Sequence, residues 1–319
     1  MFKKFLIITL IIALPISLFF IFTACDTGGN GEAVDNTITF GGSQPGIAEG
    51  YYVFTFDADG VPQSFELFWK MENGASAEAG RVLQTITAWR SGTGWFDQIA
   101  AYTLETQEFF LADFDDPIPA FDTSSPNYET STTTLTWSDS LLQEMTTTQD
   151  SDINKWVYDY NVDDTLKAMR KTYDGITFGE ANWYQYGDPN FPLLPIEMRE
   201  FVGGNIPSDY PYASDPSGYK TGPSEMSDSK YTYTPTNDQI AELVEQEGDG
   251  WTPSWTNYSK IVCTYDTSGR ISSINRFSWS AGDWTPFSEL SATYSGSVPS
   301  ISLEELFFSE YYDWFFVVE

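Results

Sequence analysis

Apolar and polar positions alternate in short runs along most of this chain. The runs are rich in aromatic and β-branched residues and are broken by Asp, Gly, Asn and Ser, whereas long helical patterns are few. Alternation with a period of two, bounded by turn-forming residues, is typical of antiparallel strands. The pattern therefore predicts a mainly β protein: an extended or curled antiparallel sheet of repeated hairpins with one or two short helices.

Three segments look like copies of one hairpin: 53–60, 157–164 and 262–269. Each has an aromatic residue before Asp or Asn and then a polar turn, and each is followed by a second apolar run. The turn closes on Gly60 and Gly269 in two copies and on Asp164 in the third. Asp and Asn bind nearby backbone N–H groups, and Gly supplies a positive φ, so each copy predicts a tight turn between two strands.

A second theme recurs near the C-terminus, where the stretch from Gly250 to Pro253 resembles the stretch from Asp283 to Pro286. Together with the Asp-Gly turn, these motifs resemble the tyrosine-aspartate hairpin repeats of many secreted and surface-attached bacterial proteins, including shell-forming proteins of the Rhs type. The resemblance is clear over 251–296, partial at 50–104 and 155–186, and absent from 187–235. It implies an architecture of repeated hairpins and no particular activity.

Helices are expected at few places. Residues 236–239 resemble a capping box that precedes Ile240, Leu243 and Val244 on one helical face. One or two helical turns are expected within 195–202, and 302–305 is another possible capping box. The tail at 311–318 has strand composition, and 203–235 has the composition of a long loop or an irregular insertion.

The first 25 residues have the pattern of an export signal. Lys3 and Lys4 precede an apolar run, and Thr23 and Ala24 precede Cys25. This arrangement resembles the lipobox of bacterial lipoproteins, which implies cleavage before Cys25, a diacylglyceryl thioether on its sulfur and a further acyl chain such as palmitate on its amino group. The alternative is an uncleaved membrane helix, although Pro15 interrupts the apolar run.

The sequence accordingly divides into a lipoprotein signal peptide at 1–24, a flexible tether at 25–49 and a β-rich hairpin-repeat domain at 50–319. The tether is rich in Gly, Asp, Asn, Ser and Thr. The β domain is either one continuous sheet or is interrupted by an irregular insertion at 187–250.

Charge and composition exclude several functions. The formal net charge is −31, so phosphate backbones would be repelled and nucleic acid is not an expected partner. Histidine is absent, which removes Ser-His-Asp and Cys-His catalysis and histidine metal ligands. If Cys25 is lipidated, Cys263 is the remaining thiol, and its apolar surroundings in the sequence predict a buried hydrophobic side chain.

No cofactor is expected, although three acidic groups have some features of calcium sites. Asp57 and Asp59 precede Gly60, residues 150–154 carry carboxylates or amides at alternate positions, and Asp113, Asp115, Asp116 and Asp122 form a cluster. Ordinary turn chemistry accounts for the same residues.

Tryptophans at predicted turns and strand ends are candidate platforms for a glycan or a protein partner. The alternative is that these aromatic residues pair across strands and staple hairpins together. The candidate residues are Trp89, Trp95, Trp251, Trp255, Trp279 and Trp284.

These patterns predict a lipid-anchored protein of the bacterial cell envelope, facing the periplasm or the cell exterior, with a non-enzymatic binding or structural role. The expected contacts are with the membrane through the anchor and with a protein or glycan. Two alternatives remain open at this point: an envelope carbohydrate-active enzyme that uses paired carboxylates, and a lipid or lipoprotein carrier. No catalytic residue is assigned.

Overall fold

The protein is a closed antiparallel barrel of sixteen strands in which each strand pairs with its neighbours in sequence. This computed structural model describes residues 36–306, except for 45–46, 74–75, 93–95, 174–175, 203–224, 249–253 and 304–305. The barrel closes between the first and last strands, where Thr37 lies opposite Ser295 and Gly41 opposite Ser291. The predicted β class and its hairpins are confirmed, and the sheet that was expected to be extended or curled closes completely into a barrel.

The strands follow one another around the barrel in chain order. They are β1 (Asn36–Gln44), β2 (Ile47–Phe56), β3 (Pro62–Asn73), β4 (Ser76–Trp89), β5 (Ile99–Leu111), β6 (Tyr128–Ser138), β7 (Leu141–Gln149), β8 (Asp152–Tyr160), β9 (Leu166–Tyr173), β10 (Ile176–Tyr186), β11 (Pro195–Val202), β12 (Glu225–Thr236), β13 (Gln239–Gly248), β14 (Thr256–Tyr265), β15 (Ile271–Ser280) and β16 (Asp283–Ser295). A 3₁₀ turn at Phe96–Gln98 precedes β5.

The inner wall of the barrel is apolar over much of its length and the outer wall is mainly polar. Strand β6 shows the pattern, because exposed Thr132, Thr134 and Thr136 alternate with buried Thr133 and Leu135. Buried side chains from strands all around the barrel form one cluster that includes Phe40, Phe65, Leu135, Tyr233 and Ile274. Burial of this apolar surface is the main force that holds the strands together.

Cys263 belongs to this cluster, where its side chain is buried. Its burial agrees with the expectation of a small hydrophobic side chain.

The expected helices at 195–202 and 236–248 are wrong, because both segments are strands of the barrel. The motif at 236–239 is a hairpin turn in which Asn237 and Asp238 have φ values of 48° and 63°. A register shift between Thr234 and Pro235 accompanies this turn, and Ile240 and Leu243 are both buried. Because of this register shift, two residues three positions apart, Ile240 and Leu243, both face the core from one strand. The same spacing of apolar residues is typical of a helix.

One helical turn is described near the C-terminus, where the Leu306 N–H donates to the Ser302 carbonyl oxygen at 3.2 Å. It lies at the possible capping box of 302–305. The tail at 311–318 lies outside the described residues. Among the described residues, no helix has the length and hydropathy of a membrane span.

The long connection between β5 and β6, residues 112–127, folds back over the outer wall. Phe114 and Ile118 pack on a small outer cluster that includes Ala79 and Leu111. The Lys70 ammonium donates to the Phe114 carbonyl oxygen at 3.3 Å. These contacts place the connection outside the barrel, so it does not enter the lumen.

Candidate binding site at the open end of the barrel

The two ends of the barrel differ in construction. Even-numbered strands finish at one end, here called the closed end, and odd-numbered strands finish at the other, here called the open end. Asn36 begins β1 at the closed end, where its side-chain carbonyl accepts a hydrogen bond from the Ser297 N–H at 2.9 Å. Both termini of the described barrel therefore emerge from the closed end.

Aromatic residues at the closed end repeat one hydrogen bond around the barrel. Each lies near the end of an even strand, and its hydroxyl or indole N–H donates to a carbonyl oxygen at the beginning of the preceding strand. The pairs are Trp89 with Pro62, Trp137 with Ile99, Tyr160 with Leu142, Tyr233 with Pro195, Tyr265 with Ile240, and Tyr294 with Ile271, at 2.5 to 2.9 Å. Two consecutive strands are thus the structural repeat unit.

A register shift accompanies the aromatic residue in most of these units. Shifts occur beside Phe56, Trp89, Trp137, Tyr160, Tyr186 and Tyr265. Irregularities of this kind re-aim a side chain and increase local twist. Burial raises the pKa of the Tyr186 hydroxyl and raises that of Tyr294 to about 12.

The three hairpin copies seen in the sequence have the same turn in the structure. The Asp57, Asn161 and Asp266 N–H groups donate to the carbonyl oxygens of the residues four positions later at 2.8 to 2.9 Å. Gly60, Asp164 and Gly269 all have positive φ, between 65° and 81°. Asp164 therefore adopts the left-handed conformation that Gly takes in the other two copies.

The aspartate side chains lock two of these turns. One Asp266 carboxylate oxygen accepts the Ser268 and Arg270 N–H groups at 2.8 and 3.0 Å, and Asp57 makes the equivalent pair of bonds. The hydrogen bonds from Arg270 and Ser268 lower the pKa of Asp266.

The C-terminal segment fills the core at the closed end. After β16 the chain turns at Gly296, and Ile301, Leu303 and Leu306 are then almost completely buried in the same cluster as the strand side chains. A cavity lined by Phe54, Phe65, Ile86 and Ile99 holds only about 10 Å³, no more than one water molecule would need.

The open end has a different inner wall. Glu108 lies opposite Gly80, and Gly80 lies opposite Trp69 of the inner wall. Since residues directly opposite one another share a face of the sheet, Glu108 faces the lumen. The same reasoning places further charged residues on the inner wall near this end: Glu78, Glu129, Glu200, Glu245, Glu247, Lys171 and Arg276. Among the described residues there, acidic side chains outnumber basic ones.

Side chains at this end are open to solvent even though they face inward. Phe110 lies opposite Glu78 on the inner wall and is 77% exposed. Glu108, Glu129 and Glu247 are also exposed. The lumen is therefore accessible from the open end, in contrast to the packed closed end.

Polar groups on β13 to β16 line the lumen between the packed closed end and the accessible open end. Glu245 is 7% exposed and accepts a hydrogen bond from the Ser259 hydroxyl at 2.9 Å. Arg276 lies opposite Ser288, which is 6% exposed and whose hydroxyl has no hydrogen-bond partner among the described residues. A buried hydroxyl without a partner is energetically unfavourable, so a ligand that bonds to it would gain affinity.

Cations already contact aromatic rings inside the lumen. Lys171 lies opposite Trp156, and its ammonium sits 5.0 Å from the centroid of that ring. Trp156 packs against the core cluster, so the pair belongs to the inner wall. Such contacts are favourable, more so where water is excluded.

Among the described residues, the predicted tryptophans have different roles, and Trp89 at the closed end lies apart from Trp279 and Trp284 at the open end. Trp279 and Trp284 lie opposite each other across the β15–β16 hairpin, with ring centroids 5.0 Å apart and planes inclined by 70°. This is the stapling arrangement that was the alternative to glycan binding. The Trp255 ring lies 5.7 Å from the Lys230 ammonium. Trp95 and Trp251 lie outside the described residues, as does Cys25.

The acidic groups considered for calcium contribute to turns. Asp113 and Asp122 accept hydrogen bonds from the N–H groups of Asp115 and Ser124, and Asp57 locks the β2–β3 turn. Within the described part of the chain, no group of three or more Cys, Asp or Glu side chains is placed to hold a metal ion.

Sequence reasoning missed the open-end residues. Glu108, Phe110 and Glu247 are separated along the chain and belong to no short motif, and only closure of the barrel gives them a common lumen. The sequence of β4 does contain one indication of a polar lumen. Glu78 and Gln84 occupy inward-facing positions, which would be apolar if the whole interior were a hydrophobic core.

Comparisons with known proteins give no family. No family model and no curated protein matches the chain. Among solved structures, a porin-like protein from Bacteroides uniformis ATCC 8492 is 14% identical with a TM-score of 0.34, over 82% of this chain and 97% of that one. The TcdB2-TccC3-TEV structure is 9% identical with a TM-score of 0.25, over 78% of this chain and 15% of that one. At these TM-scores neither likeness identifies a function.

Proposed function

We propose that this chain is a lipid-anchored protein of the bacterial cell envelope with a non-enzymatic binding or structural role, and that its binding end is the open end of the barrel. Cys25 carries the lipid, and proteins or glycans are its partners. The main support for the proposal is the difference between the two ends of the barrel. The first strand begins at the packed closed end, and the accessible lumen is at the opposite end.

The geometry suits an anchored protein. The tether expected at 25–49 ends earlier than predicted, because Asn36–Gln44 form β1. The residues before Asn36 lead into the closed end, so a lipid on Cys25 would hold that end towards the membrane and leave the open end facing away. As a flexible coil, residues 25–35 would span roughly 18 Å, so the barrel would stay near the membrane surface.

The packed closed half argues against a lipid carrier. Ile301, Leu303 and Leu306 occupy the apolar interior that an acyl chain would need. A carrier would require a deep apolar pocket, whereas the accessible part of the lumen carries charged side chains.

Two experiments test the proposal. Labelling with a palmitate analogue should mark the wild type and spare Cys25→Ser, and Cys25→Ser should leave the membrane fraction, with Cys263→Ser as the matched control that keeps label and fraction. An unlabelled wild type would contradict the anchor.

Protease shaving of intact cells, with a periplasmic protein as control, then assigns the side of the envelope. Loss of the barrel while the control survives would put its partners outside the cell. Survival of both until the envelope is opened would put them in the periplasm. A barrel found in the cytoplasm would contradict the proposal.

A further inference from the structure

The accessible lumen combines negative charge with exposed apolar surface. Glu108, Glu129 and Glu247 are exposed, face inward and stand on different strands around the open end. Phe110 faces inward among them and is also exposed. Acidic side chains on the walls of a concave site focus the electric field and attract cations.

Two independent observations indicate that a ligand with N–H donors belongs there. The buried Ser288 hydroxyl faces the lumen and has no hydrogen-bond partner in the part of the chain that the structure describes. The Lys171 ammonium over the Trp156 ring shows that the same lumen accommodates an ammonium group against an aromatic face.

The width of the lumen favours an extended ligand, such as a peptide, over a single small cation. Neighbouring strands are roughly 4.8 Å apart, so the acids on β5 and β13 are separated by several strands in either direction around the barrel. A single small cation could not contact them together. A peptide with several basic side chains could, and its aliphatic stems would pack on Phe110.

We propose that the open end of the barrel binds a basic peptide segment of a partner protein. This inference rests on the proposed function, because it names the ligand of that same binding end. The lysine or arginine side chains of the segment contact Glu108, Glu129 and Glu247, and its backbone N–H groups reach the polar wall that contains Ser288.

The test measures binding of fluorescent octalysine to the full-length protein in neutral detergent by anisotropy, at about 0.15 M ionic strength, where the Debye length is about 8 Å. The triple variant Glu108→Gln, Glu129→Gln, Glu247→Gln should bind about tenfold more weakly than wild type, because it loses three charge-assisted contacts with the basic side chains. Phe110→Ala should weaken binding less.

The matched control is Asp59→Asn, Asp139→Asn, Asp238→Asn, which removes the same charge from turns at the closed end. Circular dichroism checks that both triple variants keep the β spectrum. The control should bind within about twofold of wild type, because charges beyond a Debye length are screened. Equal weakening by both triple variants would overturn the inference, since general attraction to an acidic protein would then explain binding.

A competition experiment distinguishes a basic peptide from a free polyamine as the ligand. Octalysine should be displaced by unlabelled octalysine and not by spermine at the same concentration of charge. Displacement by spermine would overturn the peptide assignment in favour of a free polyamine. Absence of octalysine binding, with the barrel still located in the envelope, would overturn this inference and leave the proposed function standing.

Discussion

The Tyr265 hydroxyl donates a hydrogen bond to the Ile240 carbonyl oxygen, 2.7 Å away on the neighbouring strand. The bond joins the end of β14 to the beginning of β13, and Tyr294 makes the equivalent bond to Ile271. Because the donor stands at the same place in successive units, the bond fixes the register of one strand pair after another. The aromatic residue of the repeat is therefore primarily structural.

Removing one such hydroxyl should destabilise the barrel measurably. Tyr265→Phe should lower the free energy of unfolding by about 1 kcal/mol, because a buried carbonyl loses its donor while the ring is retained. Urea denaturation followed by tryptophan fluorescence measures the change. Tyr258→Phe, on an exposed ring, is the control and should change stability by less than about 0.5 kcal/mol. Equal effects would argue against a special role for the bond.

The Asp266 carboxylate should control the local stability of its turn. In Asp266→Ala, the Ser268 and Arg270 N–H groups lose their shared acceptor, so their amide hydrogen exchange should accelerate. Asp266→Asn keeps a side-chain carbonyl oxygen and should preserve most of the protection. Exchange at the equivalent Asp57 turn should not change in either variant, and a global increase would contradict a local effect.

The seam that closes the barrel should tolerate no side chain at Gly42. A Cβ built there would overlap the Glu289 carbonyl oxygen of the backbone, whereas one at Gly41 would meet the movable ring of Tyr51 at 2.6 Å. Gly42→Ala should therefore destabilise the protein by about 1–3 kcal/mol or more, since backbone must shift. Thermal unfolding of both variants checks this, and a larger loss for Gly41→Ala would contradict it.

The C-terminal segment should contribute to stability as a core element. Leu303 is completely buried, so Leu303→Ala should lower the free energy of unfolding by about 2–5 kcal/mol. Leu193→Ala makes the same substitution at a side chain that is 71% exposed and should have little effect. Denaturant titration of the pair gives the comparison. A small loss at Leu303 would mean that the segment is dispensable for the barrel.

Alkaline pH should weaken the closed end. Burial raises the pKa of Tyr294 from 10.0 to about 12, so the unfolded chain releases this proton first. The neutral hydroxyl thus stabilises the fold fully below pH 10, and that contribution disappears as the pH rises towards 12. Stability measured across this range should fall less steeply in Tyr294→Phe. An unchanged slope would show that Tyr294 titrates normally in the folded state.

The local architecture was largely predictable from the sequence. The hairpins around Asp57, Asn161 and Asp266 could be predicted because each turn uses chemistry contained within a few residues. The alternation in β6 likewise marks its two faces directly. The helix expected after Thr236 failed because an irregular strand and a helix can share the same apolar spacing over a few residues.

Closure and the site could not be predicted in the same way. Pairing of Thr37 with Ser295 depends on the accumulated twist and tilt of all sixteen strands, which no local pattern contains. The accessible lumen follows from closure, so Glu108 and Glu247 had no visible relationship in the sequence. Pairing of Trp279 with Trp284 is predictable as an alternative to ligand binding, because their spacing around one turn is local.

Joining β1 to β16 also sets the order of events during biogenesis. Asn36 and Ser297 are 261 residues apart in sequence, yet their hydrogen bond is part of the finished seam. Contacts of such long range slow folding, and the chain is synthesised with its first strand lacking the last as a partner. Until β16 has been synthesised, one edge of β1 stays unpaired and open to other chains, so a chaperone that shields β1 would protect the newly made protein from aggregation.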